Sequence, residues 1–285
     1  MGGTPSKPEE TPFLDRPWRE INWRDKAGVL QSVKDYRPNN EGQIIRILLY
    51  GPAGAGKTSF INSVQSVLHG RMYAQAMTSH SISGCFTSKY KTYRLQKQDG
   101  SFYPFVLNDT MGLSYNGGIL ENDVKLALKG HVKDGYRFKP ETEIAADDPL
   151  YNQNPTDNDK VHVLVCVFDP FDISVMPRDT LQMIHNIRVA ATELEIPQVV
   201  ILTKIDDACP EIKKDLKCVY KDKELRRKME MISAETGIKM NCIFPVKNYS
   251  EEIDLNDDAD SLILSVLGKL INFGEDCINC KSVHQ

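Results

Sequence analysis

The sequence predicts an α/β fold of the doubly wound kind, a mostly parallel sheet with one antiparallel strand held between two layers of helices. Three observations carry that prediction. Apolar runs and helix-period segments alternate from residue 43 to residue 271. A glycine-rich octapeptide separates the first apolar run from the first helical segment. Two further short polar motifs each follow directly on a strand-like run, at the sheet edge where open α/β folds collect ligands. The chain has 285 residues, 41% hydrophobic and 26% charged, which is enough for a sizeable core.

Taken in order, residues 1–12 are rich in Pro, Glu and Ser and are expected to form a disordered tail. Met1-Gly2-Gly3-Thr4-Pro5-Ser6 also fits the myristoylation pattern M-G-x-x-x-[ST], so two readings stand: an acyl acceptor at Gly2, or a tail that has its glycine by chance. One acyl chain would give only weak membrane association. Residues 13–42 read as an N-terminal helical extension packed on the domain that follows. Asn22 with Asp25 makes a variant capping box, and Trp23, Ala27, Leu30 and Val33 or Lys34 recur at helical spacing. Strands are expected at 44–50, 85–95, 103–108, 161–168, 198–202 and 242–246, and helices at 58–68, 120–128, 180–194, 221–236 and 259–271. The link Gln96-Lys97-Gln98-Asp99-Gly100-Ser101 reads as a hairpin turn, which makes one edge strand antiparallel. Residues 130–160 are polar, contain Pro140, Pro149 and Pro155, and read as a solvated insertion, with a lid as the rival. The domain so delimited is 43–275, and 276–285 is read as a C-terminal tail.

The octapeptide Gly51-Pro52-Ala53-Gly54-Ala55-Gly56-Lys57-Thr58 fits the phosphate-loop pattern GxxxxGK[ST] without a mismatch. Backbone N–H groups of such a loop, together with the free N–H groups and dipole of the following helix, make an anion site. The residues Gly51, Ala53, Gly54, Ala55, Gly56, Lys57, Thr58 and Ser59 are therefore expected to line the phosphates. Lys57 supplies a catalytic point charge, and Thr58 offers a hydroxyl to Mg²⁺. The second motif, Asp109-Thr110-Met111-Gly112, is a D-x-x-G after a strand. Asp109 is expected to hold Mg²⁺ through water, and the N–H of Gly112 to meet a γ-phosphate. The third, Thr203-Lys204-Ile205-Asp206, resembles the [NT]KxD guanine-specificity element of GTPases, which implies that the Asp206 carboxylate accepts two hydrogen bonds from guanine that adenine does not offer. The stem of Lys204 would cover the base. A strand-end turn with solvated charges is the alternative. Position 113, where small GTPases carry a water-orienting Gln, is Leu, so hydrolysis is expected to be slow or assisted by a partner.

The formal net charge of −4 gives no basic field, which argues against nucleic acid as a partner. The 7 cysteines are odd in number and dispersed, the pattern of reduced thiols in a cytoplasmic protein. Cys277 and Cys280 read as tail thiols rather than half of a metal site. The six histidines show no ligand spacing, and Lys221, Lys223, Arg226, Arg227 and Lys228 read as a solvated basic face.

With all three motifs, the chain resembles a P-loop GTPase, whose G domain is a three-layer sandwich. Closer still, Trp18-Arg19, Arg46-Ile47-Leu48-Leu49-Tyr50-Gly51, Phe60-Ile61-Asn62-Ser63-Val64, Lys129-Gly130-His131-Val132 and Val246-Lys247-Asn248-Tyr249 resemble the interferon-induced protein 44 and 44-like family. The resemblance implies a Mg²⁺-dependent protein of the cytosol that binds GTP and GDP, linked to interferon responses and to antiviral or antiproliferative effects. It also implies Lys247 in a base-supporting loop and a catalytic threonine closing on Mg²⁺, for which Thr87 is the choice and Thr78 the rival. A nucleotide-dependent homodimer, or an unknown protein partner, is the implied source of whatever Leu113 does not provide. A scaffold that binds GTP with negligible turnover is the alternative.

Overall fold

In a computed structural model of the chain, residues 11–73, 88–114 and 117–283 are described. Thr78, Thr87 and Gly2, singled out above, lie outside them, as does the start of the strand expected from residue 85. The sheet is built from β1 (Ile45–Tyr50), β2 (Lys91–Gln96), β3 (Phe102–Asp109), β4 (Val163–Phe168), β5 (Gln198–Leu202) and β6 (Ile243–Pro245). Their order is β2-β3-β1-β4-β5-β6. Every neighbouring pair is parallel except β2 with β3, which runs antiparallel through the expected hairpin. The expected P-loop fold class is therefore the one observed. Strand β4 is buried along its whole length, as its unbroken Val-Leu-Val-Cys-Val-Phe sequence requires of a strand covered on both faces.

The helices are α1 (Lys26–Asp35), α2 (Lys57–His69), α3 (Glu121–Leu128), α4 (Asp172–Val175), α5 (Arg178–Glu193), α6 (Ile205–Ala208), α7 (Pro210–Lys214), α8 (Lys223–Thr236) and α9 (Asp257–Val283). On one side α9 lies against β1 and β4, with α2 and α1 packed on it; on the other α5 contacts both α3 and α8. No described helix is long and apolar enough to cross a membrane.

Several expectations need correction. Helix α1 starts at Lys26 after Asp25, with no side-chain cap, because Asn22 Oδ1 accepts from Arg24 N–H instead. Its covered face is Val29, Leu30 and Val33, while Ala27 is exposed. Strand β2 begins at Lys91 rather than 85. Tyr90 instead exchanges backbone hydrogen bonds with Tyr136 and Gly135, at 2.7 and 2.8 Å. That pairing ties in the 130–160 segment, which is no solvated insertion: Val132, Tyr136, Phe138 and Ile144 are buried in the core. Its Asn158 side chain accepts from Ile44 N–H at 2.8 Å, bracing the start of β1. Of the residues read as a C-terminal tail, 276–283 are the last turns of α9, where Cys277 is buried.

The extension before α1 docks on the far edge of the sheet. Leu14 and Trp18 N–H groups donate to Lys221 and Tyr220 carbonyls, and the Arg19 guanidinium donates to Ile243 O at 2.7 Å and Met240 O at 2.5 Å. The same guanidinium lies over the rings of Trp18, Tyr220 and Phe244, so its charge is met by carbonyls and π faces together.

Candidate nucleotide-binding site

Three loops meet at the C-terminal ends of β1, β3 and β5. The first leaves β1 at Tyr50 and turns into α2 through Gly56, which sits at φ 91°, a left-handed conformation that glycine adopts without strain. A Cβ at Gly56 would also lie 3.1 Å from Asn248 Nδ2 and 3.2 Å from Thr203 Oγ1. Lys57, the first residue of α2, is buried. Its Nζ donates to Gly51 O at 3.0 Å and to Pro52 O at 2.9 Å, drawing the ammonium over the loop. Ala53 and Gly54 form its exposed tip, while Ala55 is buried; Ser59 lies in the first turn of the helix, where its carbonyl accepts from Ser63 Oγ.

The second loop follows β3. Asp109 is buried, and its Oδ2 accepts from Thr58 Oγ1 at 2.5 Å, so the two expected Mg²⁺ oxygens are already side by side. Thr110 Oγ1 donates to Leu49 O, and Leu113 N–H to Gly51 O at 2.9 Å. Gly112 is required by closeness: a Cβ there would lie 2.6 Å from both the Cα and the N of Ala53. Leu113 is only 2% exposed, seated against Pro52. Its apolar side chain thus packs where a water-directing amide was missing from the sequence.

The third loop follows β5. Thr203 is fully buried, and its Oγ1 donates to Ala55 O at 2.6 Å and to Phe168 O at 3.2 Å, so it braces the first loop. Lys204 adopts φ 50° and its ammonium pairs with Asp169 at 2.9 Å. Asp206, the second residue of helix α6, is half-buried. Burial raises its pKa above the ordinary carboxylate value, against the pull of Lys247, whose Nζ is 3.7 Å away. Lys247 is itself held at 2.5 Å by Glu252. Although burial opposes the charge, the Glu252 hydrogen bond and the two carboxylates leave the ammonium pKa raised. Glu252 is partly buried too, yet the Lys247 bond brings its pKa down to about 2.

Next along the chain, Asn248 Nδ2 donates to Gly56 O at 3.2 Å, while its Oδ1 is buried with no partner among the described residues. Tyr249 N–H donates to Ser63 Oγ at 2.9 Å, and the Tyr249 hydroxyl donates to Asp260 Oδ1 at 2.6 Å. Asp260 in turn takes the ammonium of Lys26 at 3.1 Å. Sequence reasoning missed Asp169 and Glu252 as members of this cluster, and named Asn248 only as part of the loop that carries Lys247. Asn248 carries a signal, since it lies in the stretch Val246-Lys247-Asn248-Tyr249, whereas nothing in the sequence points to Glu252.

Chemically, the cluster joins an anion-binding loop, a hydroxyl–carboxylate pair and a carboxylate-bearing wall. No group of three or more His, Cys, Asp or Glu among the described residues makes a protein-only metal cage. A phosphate-bound Mg²⁺ needs none, since it takes one or two protein oxygens beside phosphates and water.

The phosphate loop falls inside a matched P-loop domain. Residues 29–269 match the KAP family P-loop domain. Interferon-induced protein 44 of Homo sapiens is 34% identical over 254 residues, covering 88% of this chain and 57% of its own length. The Mus musculus protein of that name is 34% identical over 247 residues, 86% of this chain and 58% of its own. Interferon-induced protein 44-like of Homo sapiens is 30% identical over 252 residues, 87% and 56%. The chain thus spans a little over half the length of these relatives. Among solved structures, a dimerization-deficient mutant of Toc33 from Arabidopsis thaliana aligns over 92% of this chain and 95% of its own, with 14% identity and a TM-score of 0.46. Toc33 in complex with GDP and Mg²⁺ aligns over 88% and 91%, with 12% identity and a TM-score of 0.44.

Proposed function

This chain belongs to the KAP family of P-loop domains, and from that premise we propose that it is a Mg²⁺-dependent GTP-binding protein whose hydrolysis is slow or assisted by a partner. The observation that carries the reading is the convergence of the three loops. Thr58 and Asp109 meet on one side of the phosphate loop, and Thr203 and Asn248 clasp its other side, next to Asp206. The residues fit the cation: a hydroxyl and a carboxylate oxygen 2.5 Å apart are the hard donors Mg²⁺ prefers. When bound, Mg²⁺ would neutralise charge on the terminal phosphates, held by Thr58 and, through water, by Asp109.

In this reading the N–H groups of Gly54 to Ser59 hold phosphate oxygens, and Lys57 turns its ammonium from the loop carbonyls toward them. Gly112, pressed on Ala53, reports the γ-phosphate to the loop that follows. At the other end Asp206 accepts from guanine, Lys204 and Lys247 flank the base, and the buried Asn248 Oδ1 is an acceptor that a ligand can satisfy. The raised pKa of Asp206 fits a carboxylate that gains most when two N–H donors reach it.

The buried Leu113 supports the second reading, a GTP-dependent scaffold with negligible turnover. Affinities for GTP and ATP, then GTP turnover across protein concentration, discriminate between them. Preference for ATP would sink both. Turnover that rises with concentration indicates catalysis completed across a homodimer, and flat background turnover indicates the scaffold. Asp206→Asn is expected to weaken GTP by about 30- to 150-fold, some 2–3 kcal/mol of charge-assisted hydrogen bonding. The same variant should gain xanthosine triphosphate, because xanthine carries an acceptor where guanine carries its amino group. Unchanged base preference would remove Asp206 from the role. An interferon-response role in the cytosol, antiviral or antiproliferative, rests on the relatives' names; transcript induction by interferon and imaging of the tagged chain test it.

A further inference from the structure

The end of the sheet opposite the phosphate loop holds a cavity of about 520 Å³. It opens where β4 and β5 begin, beside the last turns of α9. Three lysines converge on it from different elements: Lys129 after α3, Lys160 before β4 and Lys281 on α9. His162 joins them. Its Nδ1 accepts the Arg46 N–H at 2.9 Å, which puts the ring proton on Nε2 as a neutral donor. Two carboxylates oppose the lysines. Asp157 is already engaged by Lys160 at 2.9 Å, and Glu195 is exposed at the rim. Among the described residues Lys129 and Lys281 enter no ion pair. Leu128, Ile196 and Ile278 supply a buried apolar wall.

The field of the cavity is felt by the groups inside it. Burial, then the charges of Lys281 and Arg46, bring the His162 pKa down to about 4. Asp157 is lowered chiefly by its Lys160 hydrogen bond, with Lys281 adding to the effect. Cations gathered from three segments around a neutral N–H donor and an apolar wall make a receptor for a compact anion with a carbon skeleton. Lysine, a point charge on a flexible stem, suits phosphate groups without demanding one planar geometry.

We propose that this cavity is a second ligand site, selective for a small organic molecule carrying two or more phosphate groups, with Lys129, Lys160, Lys281 and the Nε2–H of His162 as its contacts. It lies a strand's length, about 20 Å, from the phosphate loop, so both sites can be filled together.

Titration calorimetry on the full chain tests this, with inositol trisphosphate as the probe. Lys57→Ala serves as a parallel protein in which the phosphate loop is disabled. Binding is expected in both, weakening as salt is raised. Lys129→Glu and Lys281→Glu should each weaken the probe by about tenfold while leaving GTP affinity unchanged. Vesicles with and without phosphatidylinositol bisphosphate separate the sources: sedimentation with the lipid indicates a headgroup, and binding of the free probe alone a soluble ligand. Loss of binding in Lys57→Ala, affinity unmoved in both charge reversals, or no binding to either probe would overturn the proposal.

Discussion

His162 and Glu252 show how single residues here are set by the charges placed beside them. The imidazole is buried, accepts a backbone N–H at Nδ1, and faces Lys281 from α9, Arg46 from β1 and Lys160 beside it, with Asp157 favouring its protonation and Glu195 across the same cavity. Its pKa falls from 6.5 to about 4. Between those values the unfolded chain binds the extra proton, so stability rises with pH across that window. The contribution is complete above pH 6.5 and is lost as pH falls through about 4. Denaturant unfolding of wild type should lose roughly 2–3 kcal/mol over that range. In His162→Asn, which keeps an acceptor for Arg46 N–H, the slope should flatten.

At the base end, Glu252 holds Lys247 away from Asp206. Glu252→Gln removes that charge and lets Lys247 close on the carboxylate proposed to read guanine. GTP affinity measured by fluorescent-nucleotide displacement is then expected to drop by about three- to tenfold. The motif residues were legible because their chemistry is local: a glycine, a lysine and a threonine in fixed register announce a phosphate loop. The bracing contacts of Asn248 and Thr203 were not, because each reaches a phosphate-loop carbonyl far away in the sequence, and Glu252, five residues from Lys247, belongs to no motif.

At the scale of elements, period-2 and period-3.6 patterns marked every strand and all the longer helices. What they missed has a physical cause. The helices α4, α6 and α7, of four or five residues, are too short to show periodicity. Residues 88–90 look like strand because they do pair, but with 135–138 rather than with the sheet. The polar composition of 130–160 hid four buried side chains among many exposed ones. Helix α9 extends past its strongly apolar stretch because it crosses β1 at Gly274. A Cβ there would lie 2.4 Å from Ile45 Cγ2. Gly274→Ala is therefore expected to cost about 1–3 kcal/mol by overpacking, despite alanine's better helix propensity. A chemical melt measures it, and a neutral or stabilising result would mean that α9 can shift off β1.

For the whole molecule, the two ends of the described chain close on the same domain. The extension from Pro12 runs along residues 220–223, Arg19 takes the carbonyls beside β6, and Tyr36 hydrogen-bonds Glu275 on α9. The bonded series from Tyr249 through Asp260 to Lys26 links the loop at the base end to this outer layer. In mechanical language it is a pinned linkage: the buried Tyr249 hydroxyl ties the loop to Asp260 on α9, and Asp260 ties to Lys26 on α1. A nucleotide that stills the loop should therefore slow amide exchange in α1, although no residue of that helix belongs to the proposed site. Hydrogen–deuterium exchange with and without GTP reads the effect, and Tyr249→Phe, which removes only the pin, should leave α1 exchanging at the same rate in both. The first helix would then serve as the needle of a gauge whose dial is turned at the other end of the molecule.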